Sequence, residues 1–193
     1  MMNEFEIDMK HSAFISIDLQ KGILNRELKP YSANEVISNA AKIADKFREK
    51  GSFVVLVNVS SSDGNDMLKV IVDQPMQMKF NEMPKDWVEL APELNVQKSD
   101  HLITKRQWGA FYGTELDLQL RRRNINTIIL CGISTNIGVE TTAREAYEHG
   151  YNQIFAIDAC TAISEEEHRH SEKFIFPKIG LVRKTEQILK AIK

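Results

Sequence analysis

Phe53–Val59 reads FVVLVNV, seven residues without a charge. A strand that is apolar on successive residues, not on alternate ones, needs both faces covered. That condition is met inside a parallel sheet flanked by helices. Other short runs rich in Val and Ile recur at Ala13–Leu19, Leu102–Thr104, Thr127–Cys131 and Gln153–Asp158, with a weaker one at Gly180–Arg183.

Segments of helical period separate these runs. Ser32-Ala33-Asn34-Glu35 forms a capping box, after which Val36, Ile37, Ala40, Ile43, Ala44 and Phe47 trace one apolar stripe that Gly51 closes. A second helix begins at Thr114 and ends on Arg121-Arg122-Arg123, where cations suit the negative end of the dipole. A third covers Asn136–His149. A fourth opens on the capping box Ser164-Glu165-Glu166-Glu167 and runs to about Phe176, before Pro177.

Strand and helix in repetition, joined by right-handed crossovers, predict an α/β fold. The expected form is a three-layer α/β/α sandwich with a Rossmann-like, doubly wound, mostly parallel sheet of about six strands. Residues 1–193 are read as one domain, since 193 residues suffice for one full core. Residues 60–99 interrupt the pattern. Their Ser-rich opening, three prolines and weak periodicity predict a long excursion serving as lid or interface, with a short helix near Met67–Val72. Met76, Met78, Phe80, Met83 and Trp87 suit either an interface or a cover for the chain's own core.

A net charge of -2 gives no nucleic-acid footprint. No run approaches the roughly 20 apolar residues of a membrane span. The opening MMNEFEIDMKHS lacks the basic and apolar regions of a secretory signal, so a cytoplasmic location is expected. Cys131 and Cys160 form no zinc or redox motif and read as buried thiols. The five histidines, His168 and His170 among them, read as solvated helix or terminal residues.

In an open α/β sheet, ligands bind beyond the carboxyl ends of the strands. Three features stand at such ends. Asp18 follows the first run, with Gln20 just beyond; it either caps a turn or serves a site. Lys105 follows the third run and opens Lys105-Arg106-Gln107-Trp108-Gly109-Ala110-Phe111-Tyr112-Gly113-Thr114. A lysine there is either a surface residue or, with two glycines and three aromatics beside it, part of a pocket. Cys131-Gly132-Ile133-Ser134-Thr135-Asn136-Ile137-Gly138 ends a strand and opens a helix. That turn is either an ordinary capped loop or a cradle of exposed amides for anionic oxygen.

Taken together, Ile17-Asp18-Leu19-Gln20, Lys105-x-x-x-Gly109-Ala110-Phe111-x-x-Thr114-x-Leu116, Cys131–Asn136, Thr142-Ala143-Arg144-Glu145-Ala146 and Gly150-Tyr151 resemble the isochorismatase-like hydrolase superfamily, the cysteine hydrolases, over essentially the whole chain. The stretches KRQWGAFYGTELDLQLRRR and CGISTNIGVETTAR look most like its YecD-type bacterial branch. The resemblance implies a catalytic Asp18 and Lys105. It places Gly138 where amidase members carry their nucleophilic cysteine; Cys131, seven residues earlier, cannot stand in for it.

True isochorismatases also lack a thiol there and cleave an enolpyruvyl ether to release pyruvate. The resemblance therefore implies a small carboxylated or cyclic substrate, with Asp18 as acid or base beside Lys105. It further implies a cis Ile133–Ser134 bond that turns the amides near Ser134 and Gly138 inward. The pocket would be lined by Gln20, Trp108, Phe111, Thr135 and Asn136. Ser60–Asp66 holds no histidine of the kind that binds metal in nicotinamidases, so neither catalytic metal nor cofactor is expected. The family's habit implies a homo-oligomer, dimer or tetramer. Two alternatives stay open: a binding or scaffold member, and an amidase using Ser134 or Thr135, for which no histidine stands in an obvious activating position.

Overall fold

A computed structural model describes residues 6–75 and 82–193. Met76, Met78 and Phe80 of the excursion lie outside the described residues. Six strands form one wholly parallel sheet: β1 (Ser12–Ile17), β2 (Phe53–Val59), β3 (His101–Lys105), β4 (Thr127–Ile133), β5 (Asn152–Thr161) and β6 (Leu181–Arg183). Their order across the sheet is β3-β2-β1-β4-β5-β6, the doubly wound arrangement, with its reversal between β1 and β4.

The helices are α1 (Lys21–Leu24), α2 (Ala33–Glu49), α3 (Leu116–Arg122), α4 (Glu140–Glu148), α5 (Glu165–His170), α6 (Phe176–Ile179) and α7 (Thr185–Ala191). α2 packs with α7 and α4 with α6, and both pairs rest on β5. Because β5 and β1 are buried at successive residues, helices cover both faces of the sheet. The α2 stripe from Val36 to Phe47 is buried in full, behind a complete Ser32–Glu35 capping box.

Several boundaries differ from the sequence expectation. β4 and β5 continue past Cys131 and Asp158, carrying the sheet two or three residues further at its carboxyl edge. The segment after β4 begins with a wide π turn, Thr135–Val139, before α4. The helix from Ser164 passes through another π turn and does not stop at Pro177, which sits in the first turn of α6, where a missing N–H costs nothing. Met67–Val72 forms no helix, and Leu68, Val70, Ile71 and Val72 stand exposed. Met67, Val70 and Ile71 have helical spacing, but with Val70 and Ile71 exposed a short helix there would gain no burial to stabilise it.

The end of the excursion is well packed. Trp87 is buried against Gly22, where any Cβ would collide with the indole. Backbone N–H groups of Lys21, Gly22 and Ala91 donate to Glu89, Trp87 and Leu19 carbonyls at 2.9–3.0 Å. Trp87 and Met83 thus serve the chain's own core.

Candidate active site

At the sheet's reversal, β1 and β4 pair with Ile17 opposite Gly132. A Cβ on Gly132 would strike the Ile17 backbone, and its φ of 132° suits glycine alone. This approach brings the turn after β4 against Asp18. Asp18 adopts a left-handed backbone with φ 55°, which short polar side chains tolerate best, while its N–H still donates to Val57 O at 2.8 Å. Outliers of this kind cluster at functional sites.

Lys105, the last residue of β3, crosses the end of β2 to reach Asp18. Its Nζ lies 2.8 Å from Asp18 Oδ2 and donates to Trp108 O at 2.6 Å. Both residues are buried, Lys105 with 2% and Asp18 with 5% of its surface exposed. Asp18 Oδ1 is buried without a hydrogen-bond partner among the described residues. Desolvation raises the Asp18 carboxyl to about 6, against the opposing pull of Lys105. Gly138 completes the corner. A Cβ built there would lie 3.3 Å from both Asp18 Oδ2 and Lys105 Nζ and 3.1 Å from Ile17 Cγ2. These distances are tighter than ordinary van der Waals contact, so the ion pair packs directly on Gly138. The Ile133–Ser134 bond is cis, as the resemblance implied.

The expected pocket residues fare unevenly. Gln20 is fully buried, with Nε2 donating to Val59 O and Trp87 O and Oε1 accepting from Val59 N–H. It pins β2 to the excursion, with its amide spent on backbone. Phe111 stacks on His149 and lies tilted against Tyr151, beyond the end of α4. Trp108 has its side chain half exposed; its carbonyl is what meets Lys105. Asn136 lines a cleft of about 270 Å³ with Ser164, Glu166, Glu167 and His170, and its Oδ1 is buried without a partner among the described residues. Cys131 and Cys160 are buried free thiols pushed upward in pKa by desolvation, hence inert.

His168 corrects the expectation of a solvated histidine. It is fully buried, its Nδ1 lies 2.8 Å from Thr135 Oγ1, and burial lowers it to about 4. Thr135 is equally buried. The capping box that opens α5 places His168 one turn in, facing the core, which a charge-rich EEEHRH segment did not advertise. Thr142 and Glu145, whose motif implied no role for either, brace the Lys105 loop. Their spacing of three puts both on one helix face. Among the described residues no three His, Cys, Asp or Glu side chains come together as a metal cluster.

The isochorismatase domain model matches residues 12–187, which takes in the Asp18, Lys105 and Gly138 corner. The chain belongs to the isochorismatase family. Isochorismatase-family proteins are hydrolases, and this chain is an isochorismatase-family hydrolase. It is 52% identical over 193 residues to the isochorismatase family protein YwoC of Bacillus subtilis (strain 168), covering 100% of both chains. It is 50% identical over 188 residues to YecD of Escherichia coli O157:H7, covering 97% of this chain and 99% of that one. The solved structure of an isochorismatase family protein from Burkholderia thailandensis superimposes with a TM-score of 0.92 at 40% identity, covering 98% of each chain.

Proposed function

We propose that this isochorismatase-family hydrolase cleaves an enolpyruvyl (vinyl) ether of a small carboxylated or cyclic molecule without a covalent intermediate. What supports the reading is a buried carboxyl raised to about 6, paired with a buried lysine and packed directly on Gly138. Glycine at that position carries no thiol, so the nucleophile of the family's amidases has no counterpart there.

In the proposed reaction Asp18, protonated, gives its proton to the terminal vinylic carbon, which becomes a methyl group. The adjacent carbon becomes an oxocarbenium ion. Water adds to it, losing a proton that restores Asp18, and the hemiketal collapses to pyruvate and an alcohol. Lys105 stabilises the Asp18 carboxylate once its proton has left, and the N–H not spent on Asp18 or Trp108 O holds a substrate oxygen. Asp18→Asn tests the assignment: turnover is lost while ligand binding persists, and surviving turnover overturns it.

A second reading is an amidase in which Thr135 attacks, with His168 as base at 2.8 Å. It is the weaker reading, because both side chains are fully buried. We propose further that residues 1–193 act as one domain, in the cytoplasm, as a homo-oligomer covering the exposed Leu68–Val72 run.

A further inference from the structure

Lys105 is a long, flexible cation that loses rotamer freedom when its end is held. Its end is held on one side by Asp18 and on the other by the carbonyl of Trp108. That carbonyl belongs to a loop suspended from α4. The Ala110 N–H donates to Thr142 Oγ1 at 3.1 Å, and the Phe111 N–H donates to Glu145 Oε2 at 3.2 Å. The Thr142 hydroxyl in turn donates to Gly138 O at 2.7 Å. One fully buried hydroxyl therefore joins the Gly138 turn to the Lys105 loop. Gly109 lies so close to Glu145 that any Cβ would collide with its carboxylate.

We propose that Thr142 and Glu145 are positioning residues for Lys105: by fixing the Trp108–Phe111 loop they aim its ammonium at Asp18. Neither meets the reacting atoms. A charge displaced by an ångström from its working place loses much of its effect. The inference rests on the hydrolase reading only in taking Lys105 to serve the site.

The test needs no substrate. The titration of Asp18, seen by infrared difference against Asp18→Asn, is compared among wild type, Thr142→Val, Thr142→Ser, Glu145→Ala and Glu145→Gln. Lys105 is the charged group that acts on Asp18, so loosening it raises the midpoint further, by about one pH unit. Thr142→Val and Glu145→Ala are expected to show this rise. Thr142→Ser and Glu145→Gln, which keep an acceptor oxygen, are expected to titrate as the wild type does. Folded Thr142→Val and Glu145→Ala proteins with an unmoved midpoint overturn the proposal. If Thr142→Val does not fold, the half-buried Glu145 pair of variants decides alone. Failure of the pyruvate assay with the shift intact rejects the reaction and leaves the positioning role standing.

Discussion

Lys105 Nζ and Asp18 Oδ2 meet at 2.8 Å across the end of β2, and the second carboxylate oxygen has no partner among the described residues. A buried pair with spare bonding capacity is a costly way to hold a fold together, since two desolvated charges rarely outweigh an apolar pair. It is a serviceable way to hold a proton. The raised Asp18 pKa follows from burial outweighing the lysine, so the carboxyl is protonated below about pH 6 and ionised above.

The sign of that titration separates general acid from general base. With Asp18 as the acid, kcat/KM falls tenfold per pH unit once pH exceeds about 6. A pH-rate profile that instead rises through the same point assigns Asp18 as a base and removes the proton-donation step.

Restoring a side chain at position 138 is the complementary test. In Gly138→Cys the Cβ would stand 3.3 Å from Lys105 Nζ, close enough for the ammonium to favour thiolate. Position 138 is buried like the two native thiols, so ionisation is read directly by thiolate ultraviolet absorbance, which the variant should gain below the ordinary thiol value of about 8.5. An added thiol that ionises only above that value would show that the ammonium does not act on it.

His168 supplies a stability prediction. Its folded value of about 4 lies below the unfolded 6.5, so the unfolded chain takes up a proton first as pH falls. Its contribution is complete above pH 6.5 and is lost progressively down to about pH 4. Asp18 works in the opposite sense: its folded value near 6 exceeds 3.8, so its contribution declines as pH rises between them. The wild-type advantage over His168→Gln should therefore grow by about 3 kcal/mol from pH 4 to pH 6.5 in urea titrations. A difference independent of pH would mean that His168 is not held neutral by burial.

Leu68, Val70, Ile71 and Val72 expose an apolar run that a partner copy would cover. Light scattering is expected to return a dimer or tetramer. A monomer at working concentration contradicts the oligomer.

The sequence carried the sheet and the central pair well, for a physical reason. FVVLVNV and its companions are apolar on both faces, and Asp18 and Lys105 stand directly after such runs. Gln20 and Phe111 stand beside the motifs in sequence, but what their side chains touch depends on loop paths that no periodicity encodes: the Gln20 amide bonds the Val59 and Trp87 backbone, and the Phe111 ring packs beside His149 and Tyr151. His168 was hidden by its charged neighbours, because one buried position in a short amphipathic helix leaves little periodic signal. Thr142 acts through a backbone amide and carbonyl, partners that no spacing of side chains reveals.

The central claim is most directly tested by measuring pyruvate released from isochorismate beside ammonia released from a panel of small amides, in wild type and Asp18→Asn. The account predicts pyruvate from the wild type, none from the variant, and no ammonia from either. Ammonia without pyruvate would contradict it and turn attention to Thr135 and His168; silence in both would leave a binding role, or a substrate outside both classes, as the better description.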